Sequence, residues 1–200
     1  MNACARTVSW KEEVLLHDGS KVIVTRIQTR QGNHELGQNP PIKEQKIIFK
    51  LSNGEQIVWE DDFSPDIRSA NFDLFALHIL NNVPYLIASP SGCLSYNKWK
   101  RPNPPYVVFS YTAHAWKAIP LSSLPKEFNA MNLIINTSTH IDKLNNLISA
   151  KQVEKFNSTL KQLEYKTIIR APLPEVDLCP DYSLPRYTSP KAPSSENTAK

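Results

Sequence analysis

The sequence predicts a mainly β protein, an antiparallel meander closed into a sandwich, a barrel or a curved sheet, with a helical hairpin at its C-terminal end. Three observations carry that prediction. Alternating apolar runs flank Asp18-Gly19 and again Asn53-Gly54, where glycine supplies the positive φ of a tight hairpin. Further short β-branched and aromatic runs follow, separated by Pro-, Gly- and Asn-rich turns. After Asn136 the apolar period changes to that of a helix.

Val14 to Leu16 leads into the first turn and Val22 to Ile27 leads out of it; Gln31 to Pro41, with two glycines and two prolines, reads as a loop. Ile47 to Leu51 and Gln56 to Trp59 form the second hairpin. Phe72 to Leu80 fits neither period cleanly and is assigned as a strand, because Asn81-Asn82 and Val83 to Ala88 look like a turn and its returning strand. Cys93 to Tyr96, Tyr106 to Tyr111 and Ala115 to Ile119 are three more predicted strands. Ile141, Leu144 and Leu147 recur at helical spacing. Ser149-Ala150-Lys151-Gln152 is a capping box opening a second helix that carries Val153, Phe156, Leu160 and Leu163. Tyr165 to Arg170 reads as a last strand. From Ala171 onward six prolines and few apolar residues predict a disordered tail, dispensable for folding. The expected organisation is a flexible segment 1–9, a β domain 10–136, a helical hairpin and terminal strand 137–170, and the tail 171–200.

Composition excludes several functions. The net charge of +4 arises from 23 basic and 19 acidic residues spread along the chain, so no nucleic-acid surface is expected. Cys4, Cys93 and Cys179 lie far apart, which removes Cys-x-x-Cys chemistry and gives no support to a disulfide framework. No run of about 18 apolar residues is present to cross a membrane as a helix, and the chain as written carries no complete signal peptide and points to the cytoplasm.

Five histidines, at 17, 34, 78, 114 and 140, form none of the familiar metal spacings. His34-Glu35 is an ordinary loop pair, and His78, in an apolar run, is expected in the core, bonded to backbone. Glu60-Asp61-Asp62, with Asp66 and Asp73 nearby, has oxygen ligands but lacks calcium-loop spacing and reads as a solvated hairpin end. No metal site or cofactor is predicted. Cys93, after Ser91-Gly92, is either a buried small side chain or the nucleophile of a small hydrolase. The most unusual stretch interleaves cations and aromatics beside a proline turn: Tyr96, Lys98, Trp99, Lys100, Arg101 and Tyr106. It is the best binding candidate, suited to an anionic or proline-rich ligand, unless Trp99 and Tyr106 serve as core anchors.

Trp10-Lys11-Glu12-Glu13-Val14 followed by Asp18-Gly19, then Asn97-Lys98-Trp99, Arg101-Pro102-Asn103-Pro104-Pro105-Tyr106-Val107, Trp116 to Pro120 and Asn132 to Ile135, resembles an uncharacterised family of bacterial proteins, from residue 4 to about 170. Its members look like envelope lipoproteins whose signal ends in a small residue and a cysteine just before the Trp-x-Glu-Glu-Val motif. The resemblance implies that Ala3-Cys4 is such a junction, with Cys4 lipidated, membrane contact made only through that lipid, and an apolar stretch of about 7–15 residues encoded upstream. It implies a cell-envelope location and carries over no activity. The expected function is a non-enzymatic binding or envelope structural module; the alternative is a small hydrolase using Cys93 or a loop histidine.

Overall fold

The computed structural model describes residues 5–32, 39–137, 147–174 and Cys179. Eight strands form two antiparallel four-stranded sheets. β1 (Arg6–Leu15), β2 (Lys21–Arg30), β3 (Ile42–Lys50) and β4 (Gln56–Asp61) make the first, in that order; β5 (Phe72–Leu80), β6 (Val83–Pro90), β7 (Val107–Thr112) and β8 (Ala115–Ile119) make the second. Within each sheet every strand pairs with its sequence neighbour: short turns join β1 to β2, β3 to β4, β5 to β6 and β7 to β8, and β2–β3 and β6–β7 pair across longer connections. Gly54 has φ +87° in the β3–β4 turn, and Asn81 and Asn82 take φ 51° and 59° between β5 and β6, the handedness that matches strand twist.

Alternation along each strand sends one face inward. Val14, Val24, Ile47, Phe49, Ile57 and Trp59 of the first sheet meet Phe72, Leu74, Leu77, Leu86, Ala88 and Phe109 of the second in one core. A register shift between Leu74 and Ala76 explains why β5 has no clean period: Phe72, Leu74 and Leu77 face this core, while Phe75 and Ala76 turn to the other side. There they join Phe128, Leu124, Met131, Ile135 and Ile168 in a second core, so β5 is covered on both faces and reads as an apolar run.

The segment Asn132–Ile135 links the edges of the two sheets. Asn132 accepts from Leu77 N (2.9 Å) and donates to Leu77 O (2.8 Å) and Leu15 O (2.9 Å), so one side chain holds both β5 and β1. At the opposite edges Trp116 Nε1 donates to Val58 O at 2.8 Å, joining β8 to β4. Helix α2 (Ala150–Ser158) starts with the expected capping box, Ser149 with Gln152, and docks on β1 through Glu13, whose carboxylate accepts from Ala150 N at 3.1 Å.

Several expectations are corrected. Cys93 to Tyr96 is helical, within α1 (Gly92–Lys98); so few apolar residues define no period, and Ser95, the buried residue of this helix, anchors it by donating to Asn71 O. Tyr165 to Arg170 is not a strand: a 3₁₀ turn spans Leu163–Tyr165 and a single bridge joins Thr167 to Ala130. Arg6 to Ser9, expected in a flexible segment, belong to β1, which begins at Arg6 and pairs with the end of β2. Within the Pro-rich tail, Leu173 N donates to Asn103 Oδ1 (2.7 Å), Asn103 Nδ2 donates to Leu173 O (2.9 Å), and Cys179 is disulfide-bonded to Cys93. The disulfide that the cysteine spacing left unsupported is therefore present, and it ties Cys179, within the stretch expected as a tail, to Cys93 of α1. Of the helical hairpin, α2 is described, but it ends at Ser158, so Leu160 and Leu163 fall beyond it, and Leu147 is not helical; Ile141 and Leu144 lie outside the described residues, as does the rest of the tail.

Candidate functional site

The first sheet is polar at one end of its inner face. Glu12 and Arg26 sit there, 0% and 1% exposed, 3.2 Å apart. Arg26 also donates to Ile134 O (2.7 Å), and Glu12 accepts from Ile134 N (3.2 Å). The Trp10 ring lies 5.0 Å from the guanidinium. Burial pushes the Glu12 carboxyl up, with Arg26 pulling it back. With every partner internal, this pair locks the Asn132–Ile135 segment to the sheet and is closed to ligands. Alongside, Gln28, Gln45 and Asp61 form a cross-strand row. Asp61 accepts from the backbone of Asn71 (3.0 Å) and Phe72 (2.8 Å), fixing the start of β5. The solvated hairpin end expected at Glu60-Asp61-Asp62 is therefore corrected at its middle residue: Asp61 faces inward because it continues the alternation of Ile57 and Trp59.

Beside this polar end, linked to it through the Arg30–Gln28 hydrogen bond, lies a cleft of about 840 Å³. Arg30, at the end of β2 where the pairing register shifts, forms one wall. Its Nη1 donates to Pro40 O (3.0 Å), and its Nη2 donates to Thr137 Oγ1 (3.0 Å) and, at 3.5 Å, to Gln28 Oε1. All three acceptors are neutral, and Arg30 has no ion pair among the described residues. Asp73 of β5, Ser89 of β6 and Ser91 also line the cleft, together with Phe75, Ile135, Leu160 and Tyr165. Burial raises the Asp73 carboxyl above the usual range, against a hydrogen bond from Ser91 and the nearby charges of Arg30 and Arg26. Burial lowers the Arg30 guanidinium, against Asp73. The Tyr165 hydroxyl is raised, first by burial and then by Glu164 and Asp73. The lining is more polar than apolar, with Phe75, Ile135 and Leu160 among its apolar members. Among the described residues that line the cleft, no histidine stands beside its serines.

The cation–aromatic stretch lies next door. Trp99 packs 4.7 Å from Phe72 and donates to Asn71 Oδ1 at 3.4 Å. Tyr106 is buried in the second core and donates to Glu164 O at 3.0 Å. Lys98 pairs with Asp66 at 3.2 Å, and Lys100 is exposed, with φ 63°. Tyr96 and Arg101 do line a second cleft, of about 430 Å³, but Leu173, Pro174 and the Cys93–Cys179 bridge line it too. Arg101 donates to Cys179 O at 2.9 Å and lies over the Tyr96 ring, 5.4 Å from its centroid. The structure thus separates these six residues into core, surface and a groove beside the chain's own tail.

Cys93 is corrected as a candidate nucleophile, since a disulfide sulfur offers no thiolate. His78 is buried, meets Ala130 O at 2.9 Å and stacks on Phe128 at 4.6 Å, as a core histidine should. His17 contacts the same ring edge-on at 5.1 Å, and His114 sits 3.5 Å from Glu55 on the surface. Cys4, His34, Glu35 and His140 lie outside the described residues. Among the described residues no three acidic, histidine or cysteine side chains converge as metal ligands. Sequence reasoning passed over Arg30 altogether. Its signal was alternation: Val24, Arg26, Gln28 and Arg30 stand at every second position of one strand, so charge on an apolar face was legible there.

Fold and site together define a two-sheet antiparallel β protein with a polar cleft at one end. Compared with known proteins, the chain matches no family model, no curated protein and no solved structure.

Proposed function

We propose that this protein is a non-enzymatic ligand-binding module of the bacterial cell envelope, with its binding site in the cleft between Arg30 and Asp73. The observation that carries the reading is a pair of half-buried groups of opposite sign, Arg30 and Asp73, lining one cleft with no ion pair between them among the described residues. Burying a charge is unfavourable unless it is partnered, and a ligand supplies the partner. The Tyr96–Arg101 groove is the weaker choice, because the chain's own Leu173 and Pro174 line it.

Two observations support the envelope. The Cys93–Cys179 bridge belongs to an oxidising compartment, and Ala3-Cys4 resembles a lipoprotein junction. In this reading Cys4 carries the lipid and leaves only a short connection to β1 at Arg6. The binding test is to equilibrate the full chain with a bacterial metabolite extract and identify retained compounds by mass spectrometry, beside Arg30→Gln. A compound retained by the wild type and lost in the variant supports the reading; equal retention by both refutes it. Location is tested by thiol labelling in intact cells and by fractionation of Cys4→Ser. Free Cys93 and Cys179 thiols would contradict it, as would membrane association that does not depend on Cys4.

A further inference from the structure

Neither charge in the cleft suits a simple ion. An anion drawn to Arg30 meets the carboxyl of Asp73 in the lining of the same cleft, and a cation drawn to Asp73 meets Arg30. A ligand that carries both signs satisfies both groups. Three of the five guanidinium donors reach Pro40, Thr137 and Gln28, which fixes the group in place and leaves donors for a carboxylate. In the same lining Asp73 offers acceptor oxygens, together with the hydroxyls of Ser89, Ser91 and Tyr165. Phe75, Ile135 and Leu160 line the same cleft and suit a hydrocarbon side chain. The volume of about 840 Å³ falls within the range of small-molecule sites and exceeds what a single small ion fills.

We infer that the cleft takes a small zwitterion, an apolar amino acid or a short apolar peptide, with its carboxylate on Arg30 and its ammonium at Asp73. This rests on the cleft being the binding site. The test is calorimetry of the full, oxidised chain with L-leucine and leucyl-leucine, beside N-acetyl-leucine, leucinamide and acetate. The zwitterions should bind at least about tenfold more tightly than either blocked form, since one tenfold step is the ~1.4 kcal/mol expected at minimum of a lost charged contact. Arg30→Gln and Asp73→Asn should each abolish binding while keeping the wild-type circular dichroism. Should either misfold, Arg30→Lys and Asp73→Ser take its place. If N-acetyl-leucine or acetate binds as well as leucine and Asp73→Asn changes nothing, the ligand is an anion: the zwitterion falls and the cleft stands. If none of these probes binds but an Arg30-dependent compound is retained from the metabolite extract, the zwitterion again falls alone. If neither experiment finds Arg30-dependent binding, both fall.

Discussion

Glu12 and Arg26 show what a single strand position can decide. Each lies on the inward face of its strand beside apolar neighbours, and each is closed off from water. Glu12→Ala strands the guanidinium without its carboxylate and should cost about 3–5 kcal/mol, read as a lower urea midpoint. The double variant Glu12→Leu/Arg26→Met should cost clearly less than the two single changes summed, because it leaves no charge behind. His78 gives a second prediction. Burial lowers its pKa from 6.5 to about 4, with the Ala130 carbonyl opposing. The unfolded chain therefore binds the extra proton first, so the contribution to stability is full above pH 6.5 and is lost as pH falls from there towards 4. The loss is on the order of 3 kcal/mol. His78→Gln should flatten that part of the stability–pH curve relative to wild type, and an unchanged difference between the two proteins would show that the imidazole is not buried neutral. Both positions were within reach of the sequence. His78 was expected in the core from its apolar surroundings, whereas the inward placement of Glu12, Arg26 and Arg30 needed the alternation to be followed through charged residues as well as apolar ones.

Elements were most legible where their signals were local. The Gly and Asn turns fixed both early hairpins, and Ser149 with Gln152 fixed the start of α2. Ser149→Ala should lower stability by about 1 kcal/mol, measured by thermal melting, with the sheets unaffected in circular dichroism. Elements were illegible where tertiary partners set them. The bulge in β5 changes sides of the sheet in mid-strand, and the Asn132–Ile135 segment is neither helix nor strand, yet it holds two sheet edges together. Asn132→Leu removes three bonds to Leu15 and Leu77 and leaves buried backbone groups unpaired. It should cost about 2–4 kcal/mol and raise hydrogen exchange first along β1 and β5. Exchange unchanged there would mean that the segment is not the seam described. The Trp10 to Val14 motif acquires a physical meaning from the same geometry. Its inward residues hold the seam through Ile134, and its outward Glu13 holds α2 through Ala150.

At the scale of the whole molecule, a long-range bond between Cys93 and Cys179, 86 positions apart, was invisible because spacing alone does not reveal which cysteines meet. Cys179→Ser frees a large loop in the unfolded chain and should cost roughly 2–4 kcal/mol. A reducing agent should lower the wild-type melting temperature to that of the variant and leave the variant's unchanged. The cleft was invisible for a related reason: Arg30, Asp73, Ser91 and Thr137 come from four separate stretches of sequence and meet only when the two sheets pack. The motif that stood out in the linear chain, Tyr96 to Tyr106, stood out for its composition, and much of it is used to pack Trp99 and Tyr106 into the two cores. The account turns on which of these two regions faces a ligand. The most direct measurement is a nuclear magnetic resonance titration of the isotope-labelled, oxidised chain with leucyl-leucine. The account predicts saturable shifts at Arg30, Asp73, Phe75, Ser91 and Thr137, with Lys98 to Arg101 unmoved. Shifts confined to Tyr96 and Lys98 to Arg101, or no saturable shifts at Arg30 and Asp73, would contradict it.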